Sequence, residues 1–175
     1  HSQLEHVLAR PGMYIGPIDT ITDHAWILDN QKMIDKILTY NPGIVQLYDE
    51  LICNAGDHAQ ENPGKVKDIK ITVDEDSVSV MNDGPGIPIE IHKDYNIYVP
   101  ELIFTNFLTS SNYDDNEKRL KGGMNGLGAK LVAAYSTKFI IETVCKGKKY
   151  TQVCEDNLSN IKKPKIASSK KSDYT

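Results

Sequence analysis

The chain has 175 residues, of which 39% are hydrophobic and 25% are charged. These values are typical of one soluble globular domain with a buried core. The net charge of −4 argues against a nucleic-acid-binding surface that covers the whole domain.

The cysteines and the apolar segments indicate in which cellular compartment the protein is expected. Cys53, Cys145 and Cys154 are odd in number and lack the spacing of metal ligands, which indicates reduced thiols in an intracellular protein. The sequence shows no signal peptide and no apolar run of membrane-spanning length, so no membrane partner is predicted.

Helical and extended patterns alternate along the chain. Helices are predicted at residues 2–9, 44–60, 99–108 and 130–135, with a compact turn at 13–16. Strands are predicted within 25–37, and as two hairpins at 68–73 with 77–81 and at 138–145 with 149–153. The helix at 44–60 is the clearest, because Asn41-Pro42-Gly43 precedes it and proline suits a first helical position.

This helix carries a polar stripe that is separate from its apolar face. Glu50, Asn54, Asp57 and His58 stand three, four, seven and eight positions apart, so they stack along the helix. Such a stripe is either an ordinary solvated face or one wall of a site, and the helix alone leaves both open.

A second polar position ends the strand at 77–81. Asp83 follows this strand and is followed by Gly84-Pro85-Gly86, which opens space beside the carboxylate. A turn explains these residue types. A carboxylate beside a gap also suits a hydrogen bond from an exocyclic amine such as that of adenine.

The glycine-rich segment Gly122–Leu131 runs into the helix predicted at 130–135. A glycine loop at a helix start presents unpaired N–H groups to a phosphate. The glycine order fits neither the P-loop nor the dinucleotide fingerprint, and a flexible loop stays an alternative. The polar segment 109–121 before it has the length of a lid or binding loop.

Five strings in this order resemble the GHKL ATPases, and most closely the ATPase region of eukaryotic-type DNA topoisomerase II. They are RPGMYIG (10–16), LYDELICNAGDH (47–58), NDGPGIP (82–88), YVPELIFTNFLTSSNYDD (98–115) and GGMNGLGAKL (122–131). The last two together are specific for topoisomerase II among GHKL proteins.

The resemblance implies an α+β fold, a two-layer α/β sandwich of the GHKL (Bergerat) type with a mixed sheet and helices on one face. The ATPase domain would span 1–155, with an N-terminal arm over about 1–24 and an ATP lid over about 91–128. Residues 156–175 are expected to be a solvated or disordered Lys/Ser-rich segment, although a local basic patch of Lys162, Lys163, Lys165, Lys170 and Lys171 is left open. The transducer domain and cleavage core of such enzymes find no match, and the chain is expected to stop before the last strand of the ATPase domain.

The resemblance also implies residue roles. Glu50 would be the general base for ATP hydrolysis, Asn54 would bind Mg²⁺, and Asp83 would bind the adenine amine. Ser110, Ser111 and Asn112 of the lid would contact ribose and phosphate. The remaining ATP contacts would come from Asp57, His58, Ile87, Gly123, Met124, Asn125, Gly126, Leu127, Gly128, Ala129 and Lys130.

Four positions depart from the usual eukaryotic pattern. Met124 replaces an arginine, Leu127 a tyrosine and His58 an asparagine, while Asp83 stands where asparagine is common. The mixture indicates a divergent member, with a viral source as one open possibility. An intracellular protein of the nucleus or cytoplasm is expected, or of a cytoplasmic replication site if viral.

The implied function is an ATP-operated gate of a type IIA DNA topoisomerase. Two such domains would dimerise on binding ATP and Mg²⁺, and the full-length enzyme would pass double-stranded DNA. The alternative is a GHKL-fold nucleotide-binding or interaction domain without its own hydrolysis, which Met124 and His58 motivate.

Overall fold

A computed structural model describes residues 2–107 and 127–175. Several predicted site residues lie outside the described residues: Ser110, Ser111, Asn112, Gly123, Met124, Asn125 and Gly126. The helices are α1 Gln3–Ala9, α2 Pro11–Tyr14, α3 Pro42–Glu61, α4 Val99–Thr105 and α5 Gly128–Ala134. The strands are β1 Ile21–Asp29, β2 Lys32–Tyr40, β3 Ile69–Val73, β4 Val78–Asn82, β5 Lys138–Cys145, β6 Lys148–Glu155, β7 Asn160–Ile161 and β8 Lys165–Ser168.

Side-chain hydrogen bonds cap both ends of helix α3. The Asn41 side chain accepts a hydrogen bond from the Ile44 N–H at 3.1 Å, and Pro42 occupies the first turn. At the other end the Asn62 amide donates to the His58 carbonyl at 3.0 Å. The predicted helix is confirmed, and these caps fix the position of its polar stripe.

Two other predictions differ from the observed elements. Residues 13 and 14 of the turn predicted at 13–16 belong to the short helix α2, because Pro11 is accommodated in a first helical turn. The helix predicted to reach residue 108 ends at Thr105, since Asn106 adopts an extended backbone, and residue 108 lies outside the described residues.

The described strand pairs are antiparallel. Strands β1 and β2 form one hairpin, β3 and β4 a second, and β5 and β6 a third. Strands β7 and β8 both pair with β6. Tyr174 then bridges Asp83 and Val144, so the end of the chain runs between β4 and β5 and joins the last two hairpins.

Residues 156–175 are therefore ordered rather than disordered, while most of them are exposed, as expected of a solvated segment. A high content of Lys and Ser predicts that side chains are solvated, but backbone hydrogen bonds are what hold this segment on the sheet. Thr175 and Asn82 exchange two backbone hydrogen bonds of 3.0 and 2.9 Å, and Ile166 lies opposite the buried Tyr150. A lysine on an exposed edge strand, such as Lys165 of β8, is also a common way to protect a sheet edge.

The core lies between the sheet and a layer of helices on one face. Its buried members include Leu131, Ala133 and Ala134 of α5, and Ile141, Tyr150 and Cys154 of β5 and β6. Helix α5 packs against both α3 and α4, and α3 also contacts β3 and β4. The predicted two-layer α+β arrangement is confirmed. Within the described residues, no helix has the length and apolarity required to cross a membrane.

Candidate functional site

Helices α3 and α5 meet at Glu50 and Gly128. The Glu50 carboxylate accepts a hydrogen bond from Gln46 Nε2 at 3.0 Å, one turn earlier on α3. Its other oxygen lies so close to Gly128 that a Cβ there would fall far inside contact distance. Only glycine therefore leaves room for this carboxylate at the start of α5. The contact joins two sequence motifs that stand 78 positions apart.

The rest of the polar stripe follows Glu50 along α3. Asn54 is half-buried one turn later, and its side chain has no hydrogen-bond partner among the described residues. Asp57 is exposed, whereas His58 is half-buried. The structure thus places Glu50 and Asn54 on the same side of α3, with Asp57 further towards solvent.

His58 is held by the loop after β4. Its Nε2 lies 2.9 Å from the Pro85 carbonyl oxygen, and because a carbonyl only accepts, the imidazole proton is on Nε2. The Asn62 amide lies 3.4 Å from Nδ1. The imidazole therefore ties the end of α3 to the Asp83–Pro88 loop.

A cavity of about 600 Å³ opens beside His58. This volume is within the range of small-molecule sites. Its walls are His58, residues 85–88 of the loop after β4, residues 90–94, and Val99 and Ile103 at α4. The predicted site residues His58 and Ile87 thus line one cavity, together with residues 91–94 at the start of the lid predicted over about 91–128. Residues 108–126 of that predicted lid lie outside the described residues.

The loop after β4 approaches β5 very closely. A Cβ on Gly86 would collide with the backbone carbonyl of Val144. The neighbouring Ile87 N–H donates to Thr143 Oγ1 at 3.0 Å. Glycine at 86 therefore allows the loop to lie flat on β5 and to form one wall of the cavity.

Asn82 and Asp83, at the end of β4, point to opposite faces of the sheet, as successive strand residues do. Asp83 lies beside Met81, Glu142 and Tyr174, on the face away from the helices and outside the cavity that His58 lines. Asn82 is buried, with 7% of its surface exposed, and its amide donates to the Asp83 carbonyl at 2.9 Å.

The Asp83 carboxylate is occupied by backbone donors. Its Oδ1 accepts from the N–H groups of Asp68 at 2.9 Å and Lys67 at 2.8 Å. These two hydrogen bonds, Asp68 first, hold the pKa of Asp83 below its ordinary value. Sequence reasoning singled out Asp83 and passed over Asn82, although strand alternation was a signal that only one of the two could face the helices.

The start of α5 contributes three further predicted residues. Leu127 packs against the core, and Ala129 and Lys130 are half-buried. Burial lowers the pKa of the Lys130 ammonium, because removal from water penalises its charged form. A partly desolvated cation there is suited to an anionic ligand.

Within the described residues, no group of three or more His, Cys, Asp or Glu side chains is placed to hold a metal ion. Asn54 supplies one amide oxygen beside the Glu50 carboxylate. That donor set fits Mg²⁺, which keeps several waters and commonly binds one or two protein oxygens together with substrate phosphates. It does not fit zinc, which takes four nitrogen or sulfur ligands in structural sites.

Comparison with known proteins agrees with this geometry. Residues 39–155 match the family described as histidine kinase-, DNA gyrase B-, and HSP90-like ATPase. DNA topoisomerase 2 of Saccharomyces cerevisiae is 49% identical over 97% of this chain, and that of Pisum sativum is 45% identical over 98%. The chain spans 12% of the length of each of these relatives.

Solved structures give the same answer for the fold. The ATPase region of Saccharomyces cerevisiae topoisomerase II bound to ICRF-187 (dexrazoxane) superposes with a TM-score of 0.88 at 48% identity, covering 99% of this chain and 48% of that one. The 43K ATPase domain of Thermus thermophilus gyrase B, at 22% identity and a TM-score of 0.68 over 98% of this chain and 37% of that one, shares the fold alone. This chain belongs to the histidine kinase-, DNA gyrase B- and HSP90-like ATPase family, and within it is similar to the ATPase region of eukaryotic DNA topoisomerase II.

Proposed function

We propose that this chain is the ATP-binding and ATP-hydrolysing gate domain of a type IIA DNA topoisomerase. In the full-length enzyme two such domains dimerise on ATP and drive the passage of double-stranded DNA. The observation that carries the proposal is the contact of the Glu50 carboxylate with Gly128, because it brings the polar stripe of α3 to the end of the glycine-rich segment.

The hydrolytic role follows from the position of Glu50. Gln46 holds one carboxylate oxygen, which orients the group, and the other oxygen faces the start of α5, where the glycine-rich segment would cradle phosphates. A carboxylate on a rigid helix orients a water for attack on the terminal phosphate and accepts its proton. Lys130, on α5, adds positive charge near the glycine-rich segment.

Asn54 would hold Mg²⁺ through its side-chain oxygen, one helical turn from Glu50. When bound, the ion supplies charge neutralisation between the phosphates. The amide has no partner among the described residues and is half-buried, so it is free to take this ligand without breaking a protein contact.

The adenine contact belongs to the end of β4. Asp83 stays the residue predicted from sequence, but its Oδ1 is occupied by two backbone N–H groups and its side chain lies on the face away from the helices. Asn82 lies on the helix-facing side, directly opposite Thr175. We therefore assign the amine contact to Asn82 and give Asp83 the role of holding the chain at 67–68 in place.

The competing function is nucleotide binding without hydrolysis. The hydrogen bond from His58 to the Pro85 carbonyl favours it, since an imidazole engaged in this way is not directed to a phosphate. The two functions share the proposed nucleotide contacts and differ in turnover.

A calorimetric titration with a non-hydrolysable ATP analogue and Mg²⁺ tests binding, and phosphate release from ATP tests hydrolysis. We expect Asn82→Ala to abolish binding, and Asp83→Asn, which keeps an acceptor oxygen, to retain it. Glu50→Gln should bind the analogue but lose turnover by about 10²- to 10⁴-fold.

The outcomes separate the hypotheses. Loss of binding in Asp83→Asn with retention in Asn82→Ala would return the adenine contact to Asp83. Binding without any wild-type turnover would favour the non-hydrolysing alternative, and absence of analogue binding by the wild type would contradict both. Thermal unfolding of each variant checks that the fold is intact.

A further inference from the structure

The charge of the chain is divided unevenly along its length. Residues 138–175 contain nine lysines and four acidic residues, a net charge of +5, whereas residues 1–137 carry −9. The overall charge of −4 conceals this division. At about 0.1 M salt the Debye length is roughly 10 Å, so the charges close to a ligand matter more than the net charge of the chain.

The fold gathers lysines that are distant in sequence. Strand β8 pairs with β6 so that Lys148 lies opposite Ser168. The Ser169 N–H donates to the Gly147 carbonyl at 2.8 Å, and the Lys146 N–H donates to Asp173 Oδ1 at 3.0 Å. The β5–β6 turn is thereby fixed beside the residues that follow β8. We call the resulting surface the basic edge; it consists of Lys146, Lys148, Lys163, Lys165, Lys170 and Lys171.

The lysines of the basic edge are exposed and form no salt bridge with the described residues. Two other lysines of the same sheet are neutralised: Lys149 binds Glu142 at 2.9 Å, and Lys162 binds Glu155 at 3.2 Å. Asp173 accepts a hydrogen bond from the Lys146 N–H and keeps its negative charge, and Lys171 lies beside Glu142 and Asp173. These carboxylates offset part of the charge, but the six lysines still leave an excess of positive charge on the edge.

We propose that the basic edge binds the phosphate backbone of duplex DNA, without reading its sequence. Lysine ammonium groups neutralise phosphates and release counterions, and this term supplies most of non-specific DNA binding. The choice of DNA as the ligand depends on the proposed function, since DNA is the substrate of the topoisomerases that this chain resembles. The surface itself rests on the β6–β8 pairing and is separate from the cavity beside His58.

Protection of an open sheet edge by lysines is the simpler explanation of β8. It accounts for Lys165, which lies on the strand. It does not account for Lys146, which lies in the turn between β5 and β6, or for Lys170, which follows the end of β8. Neither residue lies on a strand whose edge needs protection. The convergence of these two segments at one end of the sheet favours a ligand.

The test is fluorescence anisotropy of a labelled 20-base-pair duplex titrated with the chain, without nucleotide, at 50 and 200 mM NaCl. Four phosphate contacts predict a loss of affinity on the order of 100-fold between the two salt concentrations. The variant with Lys146, Lys148, Lys170 and Lys171 all changed to Gln should bind at least about tenfold more weakly at 50 mM NaCl.

The matched control changes Lys32, Lys36, Lys65 and Lys70 to Gln, which removes the same charge from exposed positions elsewhere. We expect its affinity to stay within about twofold of wild type. Equal weakening of both variants, or no duplex binding by the wild type at 50 mM NaCl, would overturn the proposal. Stronger binding to vesicles containing phosphatidylserine than to DNA would overturn it as well.

Titration of the same variants with the ATP analogue separates this inference from the proposed function. Unchanged analogue binding in the basic-edge variant shows that the fold and the nucleotide site are intact, so any loss of DNA binding belongs to the edge. Analogue binding by a wild type that does not bind DNA would overturn the basic edge alone.

Discussion

The helix layer and the β1–β2 hairpin cover their apolar side chains to very different extents. Helix α5 buries four consecutive residues, from Leu131 to Ala134, between the sheet and its neighbouring helices. In the hairpin, Trp26 is 69% exposed and Leu28 is 71% exposed. Both side chains lie on one face of the hairpin, because residues two apart on a strand point to the same side. Leu28 lies opposite Met33, and Trp26 lies opposite Asp35.

The difference shows where this sequence specifies geometry by packing between elements and where it does so by contacts within one hairpin, which are strand pairing and the side-chain hydrogen bonds of Thr22 with Thr39 and of His24 with Asp35. Around Glu50 and Gly86, atoms approach so closely that a single added methyl group has no room. The hairpin is held by nine paired positions between its own strands, and its exposed face adds little. Substitutions should therefore have large effects in the first region and small ones in the second.

The largest expected effect is on Gly86. Gly86→Ala should lower the free energy of unfolding by about 3 kcal/mol, because the new Cβ meets the Val144 carbonyl, which cannot retreat while it accepts from the Tyr174 N–H. Urea unfolding measures the change. Gly56→Ala is the control: no atom of the described residues lies within 4 Å of the added Cβ inside α3, so it should raise stability by about 0.5–1 kcal/mol. A Gly86→Ala variant as stable as wild type would show that the loop does not lie on β5.

The second effect separates catalysis from stability at Gly128. The Cβ of Gly128→Ala meets only the Glu50 carboxylate, the mobile end of a side chain, so the fold should survive while the carboxylate is displaced. A displacement of about 1 Å lowers turnover on the order of 100-fold. We expect ATP turnover to fall while analogue binding and the unfolding midpoint are retained. Unchanged turnover would mean that Glu50 acts from another position.

The smallest effect belongs to the hairpin. Trp26→Ser should change the free energy of unfolding by less than about 0.5 kcal/mol, because the side chain is mostly exposed already. Urea unfolding is again the measurement. A loss comparable to that of Gly86→Ala would mean that the hairpin face is covered in solution, and would remove the contrast between the two regions.

Much of the secondary structure follows from local signals in the sequence. The Asn41-Pro42 start of α3, the alternation in β3 and β4 and the β5–β6 hairpin all depend on neighbours within a few positions, and each prediction is confirmed. The motifs also identified the family. The polar stripe on α3 could be placed for the same reason, since helical spacing fixes which side chains share a face.

The tertiary structure alone decided the remaining features, because each depends on contacts between residues far apart in sequence. Composition could not show that residues 165–168 pair with β6, since backbone hydrogen bonds are independent of lysine side chains. Motif matching selected Asp83, but the pleat of β4 and the backbone donors at 67–68 turn it away from the cavity and leave Asn82 on the inner face. The contact of Glu50 with Gly128 needs two helices packed at one crossing, and no local pattern specifies the position of a crossing.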